Sequence, residues 1–148
     1  MSLKTILAAK GGDVICIEPT ANLAAAAKLL STHRIGALVV LDADGRLVGI
    51  LSERDIVRVM AESGSAGLQL PVAQVMTRNV STCDVNDSIG SVIDRMTNGK
   101  FRHMPVFDKD RLVGLLSIGD ALKWHIETIR EHIHQLEASL TEFELMRL

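Results

Sequence analysis

The sequence predicts an α/β fold made of two β-α-β-β-α units and a long C-terminal helix. Three observations carry that prediction: a ten-residue segment that occurs twice, matching apolar periodicities upstream of both copies, and an apolar heptad seam that runs on past the second copy. Arg46-Leu47-Val48-Gly49-Ile50-Leu51-Ser52-Glu53-Arg54-Asp55 returns as Arg111-Leu112-Val113-Gly114-Leu115-Leu116-Ser117-Ile118-Gly119-Asp120, with seven of ten positions identical at an offset of 65. Upstream the match continues at an offset of 66, Gly45 being the extra residue. Asp13-Val14 faces Asn79-Val80, Leu23 faces Ile89, Leu30 faces Met96 and Val40 faces Val106.

Each element follows in order. Val14 to Ile17 and Val80 to Cys83 are short β-branched or thiol-bearing runs and read as first strands. Helices come next: Leu23, Ala26, Ala27 and Leu30, and Ile89, Val92, Ile93 and Met96, fall at i, i+3, i+4 and i+7, one apolar stripe each. Second strands span Ala37 to Leu41 and His103 to Phe107. Turns with Asp42, Asp44 and Gly45, or Asp108 and Asp110, lead back into third strands, Leu47 to Leu51 and Leu112 to Leu116, so each pair reads as a hairpin. A second helix starts at each Ser-x-x-Asp. One such unit has too little core to stand alone, so the two should pack together. The expected divisions are 3–62 for the first unit, 63–71 for a linker opening in small residues, 72–126 for the second unit and 127–148 for the extended helix. In that helix Leu122, Ile126, Ile129, Ile133, Leu136, Leu140 and Phe143 alternate in steps of four and three, an a/d seam uninterrupted by Gly or Pro. At 1.5 Å per residue it would reach roughly 40 Å. It either folds back on its own unit or associates with another helix, and its length favours self-association.

Composition narrows the function. Of the 148 residues, 47% are apolar and 23% charged, which suits a packed core, while aromatics are only 3%. A net charge of −2 provides no basic field for a phosphate backbone, and the lack of aromatics removes base-stacking platforms, so nucleic acid is not an expected partner. No apolar run reaches the roughly 20 residues of a membrane helix. No signal-peptide layout opens the chain. Cys16 and Cys83 are too few for a disulfide scaffold and read as reduced core thiols. A cytoplasmic protein without a membrane partner is expected. His125, His132 and His134 lack the spacing of a helical zinc pair, no Gly-rich phosphate loop occurs, and no nucleophile signature is present, so neither a metal nor catalysis is expected.

Two features remain as candidates for chemistry. The repeated Ser-x-x-Asp (Ser52 and Asp55; Ser117 and Asp120) is a capping box, in which both side chains serve backbone N–H groups. The same geometry places a helix N-terminus, suited to an anion, beside a carboxylate able to accept two ribose hydroxyls. Spacing alone supports both readings. Arg102 and His103, before the second strand of the second unit, fit either a solvated strand edge or a phosphate contact. The matching place in the first unit holds Gly36 and Ala37, with Arg34 upstream.

Two β-α-β-β-α units, each ending in Leu-Val-Gly-hydrophobic-Leu-Ser-x-x-Asp, resemble a tandem pair of cystathionine-β-synthase (CBS) domains, the Bateman module. Pro71-Val72-Ala73-Gln74-Val75-Met76-Thr77-Arg78-Asn79-Val80 looks like that family's lead-in to a second domain, and His103-Met104-Pro105-Val106 resembles its Pro-containing strand. The resemblance covers about residues 3–126. It implies two units related by a pseudo-twofold axis with clefts between them that bind AMP, ADP, ATP, NAD(H) or S-adenosylmethionine and so regulate an attached or partner protein. It assigns the ribose to Asp55 and Asp120 with Ser52 and Ser117, the adenine wall to Val14 and Val80, and cleft positions to Ile35, Gly36 and Ala37 and to Phe101, Arg102 and His103. Arg54 and Met104 complete the set. By the family's usual pairing Asp120 works with Val14 and Ile35, and Asp55 with Val80, Arg102 and His103. The sequence departs from the family at Val39, where Pro105 has its counterpart, and at Gly36-Ala37, which brings no phosphate partner. The resulting expectation is a non-catalytic, homodimeric nucleotide sensor. The alternative is a scaffold with empty clefts that acts on a protein partner through its C-terminal helix.

Overall fold

The computed structural model describes residues 3–148. The elements are α1 (Leu3–Lys10), β1 (Cys16–Ile17), α2 (Leu23–His33), β2 (Ala37–Leu41), β3 (Leu47–Ser52), α3 (Glu53–Ser63), a 3-10 helix (Gly64–Gln69), α4 (Val72–Val75), β4 (Cys83–Asp84), α5 (Ile89–Gly99), β5 (His103–Asp108), β6 (Arg111–Ser117) and α6 (Ile118–Met146). They form two three-stranded sheets, ordered β1-β2-β3 and β4-β5-β6. The α/β class, the duplicated order and the long last helix are as the sequence predicts.

Local chemistry explains why the repeats fold alike. Asn22 and Ser88 cap α2 and α5, their side-chain oxygens accepting the N–H of Ala25 at 2.9 Å and of Ser91 at 3.2 Å. Both helices end at a left-handed residue in matching positions, Arg34 (φ 52°) and Lys100 (φ 57°). The stripes Leu23, Ala26, Leu30 and Ile89, Val92, Met96 are buried. The hairpin turns account for the change of offset. In the first, Asp42 Oδ1 accepts the N–H of Asp44 and of Arg46, and Gly45 takes φ 78°; in the second, one residue shorter, Lys109 takes φ 57°.

The first strands are shorter than expected. In β1 and β4 only Cys16-Ile17 and Cys83-Asp84 pair, in parallel, with Val39-Val40 and Val106-Phe107. Val14 and Val80 lie outside them, and the Val80 N–H turns back to the Arg78 carbonyl at 3.0 Å.

By proximity the chain divides into two compact units. One holds residues 13–82 with 113–115; the other holds the described residues up to Gly12, residues 83–112 and residues 116–148. The N-terminal helix α1, with Leu3, Ile6 and Leu7 buried, thus belongs with the second repeat, whereas the boundary 3–62 puts it with the first. In the first unit Leu23, Leu30, Leu38, Val40, Leu51 and Val59 form the heart of the core, and Val72 and Met76 join it. Of linker residues 63–71, Leu68 and Leu70 pack against this core. The Leu23 N–H donates to the Leu70 carbonyl at 3.0 Å, and Val72 N–H to that of Ala21 at 2.7 Å. Ile50 and Thr77 exchange two main-chain hydrogen bonds of 2.9 and 3.0 Å. Gly49 makes this approach possible, because a Cβ there would collide with the Met76 sulfur.

The C-terminal helix does not fold back. It runs for 29 residues, and every residue from Ile129 onward is exposed. Among the described residues no helix is long and apolar enough to cross a membrane.

Candidate functional site

Each hairpin ends where a helix begins, and both junctions are built identically. Ser52 and Ser117 are N-caps with extended backbone, and both complete a capping box with the Asp three residues on. Asp55 Oδ2 accepts the Ser52 N–H at 2.9 Å and the Asp120 Oδ2 accepts the Ser117 N–H at 3.4 Å. In return Ser52 Oγ accepts the Asp55 N–H at 3.4 Å, and Ser117 Oγ the Asp120 N–H at 3.1 Å. The first helical N–H is taken by the residue just before the middle strand: Glu53 donates to the Gly36 carbonyl at 2.9 Å, and Ile118 to that of Arg102 at 2.8 Å. Of the four donors exposed at a helix start, these bonds engage all but the second helical N–H, on Arg54 and on Gly119. A carboxylate and one outward donor are thus set side by side, twice.

The surroundings differ. Asp55 is buried, its side chain 13% exposed, and its Oδ1 pairs with Arg58 on the next turn at 3.2 Å. Asp120 is 35% exposed at the side chain and meets Lys10 Nζ, from α1, at 2.6 Å on Oδ2. Partial burial pushes the Asp120 pKa up. Hydrogen bonds from Lys10 and Ser117 and the Lys10 charge outweigh that and hold it below the usual carboxylate value. The first helical residue is acidic Glu53 at one junction and neutral Ile118 at the other, so the α6 start is the better site for an anion.

The structure therefore gathers Ser52, Asp55 and Gly36 in one unit and Ser117, Asp120 and Arg102 in the other. Arg102 is exposed one residue before β5, and His103 opens that strand half-buried. Because β5 is the middle strand of its sheet, the strand-edge reading fails for His103. Ala37 and Met104 are 1% and 0% exposed, so their side chains lie in the interior, and Ala37 pairs through its main chain with Ser52. Ile35 and Gly36 line an open groove of about 530 Å³ with Arg34, Glu53, Ile56 and Val57, and Asp55 is not part of its wall. Val14, Val80 and Phe101 are half-buried and Arg54 is exposed.

Sequence reasoning missed Lys10, which sits 110 residues from its carboxylate partner and carries no local signal, and it missed Arg34 and Glu53 as groove-lining charges. Burial disfavours both thiolates. Burial, then Asp87 and Asp84 against Arg95, push the Cys83 thiol to about 12, and burial also raises Cys16. Among the described residues no cluster of three or more His, Cys, Asp or Glu is placed to hold a metal.

The fold has parallels among solved structures. A CBS domain of Agrobacterium tumefaciens, in the protein ATU1752, superposes with TM-score 0.81 at 43% identity over 84% of this chain and 99% of that one. The CBS domain pair of MJ0100, solved in complex with 5′-methylthioadenosine and S-adenosyl-L-methionine, superposes with TM-score 0.76 at 27% identity over 86% of this chain and 98% of its own. A 17.7 kDa protein of Acidianus ambivalens is 35% identical over 108 residues, 72% of this chain but only 64% of that protein. The CBS-domain family model matches twice, at residues 9–62 and 72–127. The chain belongs to the CBS-domain family, as a tandem pair.

Proposed function

We propose that the chain is a non-catalytic regulatory module that binds adenosine-containing ligands, of the AMP, ADP, ATP or NAD(H) type, at its two Ser-x-x-Asp junctions. It acts in the cytoplasm as a homodimer and passes ligand occupancy to a protein partner. The observation that carries this reading is the duplicated junction itself, a fixed carboxylate beside an outward helix N–H. The carboxylate suits a pair of ribose hydroxyls, and the helix start suits an anion. The complex of the MJ0100 pair with two adenosine compounds supports the ligand class.

Calorimetry of the purified protein against AMP, ADP, ATP, NAD, S-adenosylmethionine and methylthioadenosine, with mass spectrometry of any ligand released on denaturation, tests it. Binding of at least one of these with a Kd below about 100 μM, without turnover, is expected. If none binds at millimolar concentration the sensor reading fails. The second reading, a scaffold acting through α6, is favoured by the exposed apolar seam of that helix. It would then stand.

A further inference from the structure

The seam residues Leu122, Ile126, Ile129, Ile133, Leu136, Leu140 and Phe143 all lie open to solvent, between 41% (Leu122) and 62% (Leu140) exposed. No part of the same chain covers them beyond Ile129. An apolar stripe of that length is an association surface, and the charges beside it identify the occupant. In heptad terms Ile126, Ile133 and Leu140 are a positions and Leu122, Ile129, Leu136 and Phe143 are d positions. The e flank then reads Lys123, Arg130, Glu137, Glu144: two cations followed by two anions. The g flank reads His125, His132, Ser139, Met146, with no fixed charge.

We infer that α6 pairs with α6 of a second copy of this chain as an antiparallel two-helix coiled coil. The inference rests on the homodimer reading and specifies its interface and orientation. In an antiparallel pair e faces e. One register sets Lys123 against Glu144 and Arg130 against Glu137, and twofold symmetry makes four opposite-charge pairs from one helix sequence. The same register layers Ile126 on Phe143, Ile129 on Leu140 and Ile133 on Leu136. Sliding by one heptad brings Arg130 against Arg130, or Glu137 against Glu137, so the charges select a single register. A parallel pair sets e against g and gives Arg130 to His125, Glu137 to His132 and Glu144 to Ser139. The two fixed cations and two fixed anions then never meet. Since e and g charges set orientation in coiled coils, and a helix pairs with its own copy only if its flank is self-complementary, a second copy in reverse orientation is the occupant that fits. The paired stretch from Leu122 to Phe143 spans about 30 Å.

The test uses the full-length chain and two charge variants. One carries Lys123→Glu with Arg130→Glu, and the other Glu137→Lys with Glu144→Lys. All four positions are exposed, and circular dichroism checks that the fold is kept. Sedimentation is expected to show a wild-type dimer at about 10 μM, each variant alone at least tenfold weaker, and an equimolar mixture restored to a heterodimer. In parallel, Ile126→Cys and Phe143→Cys variants are oxidised singly and mixed, with wild type as the control for Cys16 and Cys83. A disulfide-linked dimer that forms only in the mixture is the expected result. Self-crosslinking of either variant alone overturns the orientation. A dimer indifferent to both charge sets overturns pairing through α6 while leaving the homodimer standing, and a wild-type monomer overturns both.

Discussion

The two Ser-x-x-Asp junctions differ in what holds their carboxylates, although the caps around them are the same. Asp55 is enclosed by its own unit and tied to Arg58 one turn along α3. Asp120 is more open and is held from outside the repeat by Lys10 of α1. Both copies keep the cap because the cap is local: a Ser and an Asp three residues apart make it, and both are present in each copy. They do not share the electrostatic environment, which comes from wherever the remainder of the chain packs. Two sites with one motif can therefore differ in accessibility and in the charge they present to a ligand. One junction begins its helix with Glu53, while the other begins with Ile118 and has Arg102 beside it.

The largest effect should come from removing the shared part. Asp55→Ala with Asp120→Ala deletes both carboxylates, and a charge-assisted hydrogen bond to a hydroxyl is worth about 1.5–3 kcal/mol. Calorimetry should show adenine-nucleotide affinity reduced about tenfold or more at each junction. The single variants sharpen the comparison through stability. Each loses half of a capping box, about 1 kcal/mol, and a cation's partner, but Asp55 is the more buried of the two, so Asp55→Ala also leaves a space inside its unit and its melting temperature should fall further. Unchanged nucleotide affinity in a folded double variant would remove the ribose assignment and leave two capping boxes.

A smaller effect should separate the junctions by phosphate. Arg102→Ala removes a bidentate cation that Gly36 cannot match. Affinity for AMP should drop about tenfold, and affinity for adenosine by less than twofold, with a weaker salt dependence of the AMP term. Equal loss for both ligands would show that Arg102 supports the fold rather than the phosphate.

What the sequence made legible was whatever is local or repeated. The stripes of α2 and α5, the Ser N-caps, the hairpins and the inserted Gly45 were all readable, because each depends on neighbours within about ten residues. The fate of β2 and β5 was harder to read. Alternation shows which residues share a sheet face but not whether that face is covered. The family resemblance names Ala37 and Met104 as cleft residues, and both side chains are interior. The reason for Gly49 was hidden too, since it answers to Met76, a residue the expected boundaries put in the second unit. Least legible was α1. Leu3, Ile6 and Leu7 form a readable stripe, but the segment has no copy elsewhere, so nothing in the repeat revealed that it joins the second unit and sets Lys10 against Asp120.

That contact gives the smallest effect, and the one most specific to the comparison. Lys10→Met keeps the length of the side chain and removes its charge. Both partners are more than a third exposed, so solvent screening limits the pair to at most about 1 kcal/mol. The Asp120 pKa is lower in the folded chain than its unfolded value of about 3.9. The unfolded state thus binds the proton more readily, and the pair's contribution is full above that pH and is lost as pH falls through the folded value. Denaturant melts should show wild type more stable than Lys10→Met by a constant margin from pH 7 to about 5. That margin should shrink towards zero on further acidification and, at pH 7, in 1 M salt. Arg58→Met, the equivalent change at the other junction, adds a control within one helix, where the i,i+3 pair is worth about 0.2–0.5 kcal/mol. A Lys10 margin that survives at pH 2.5 would mean that its stem packs rather than its charge pairs, and the electrostatic difference between the two junctions would then reduce to Arg102 and Glu53.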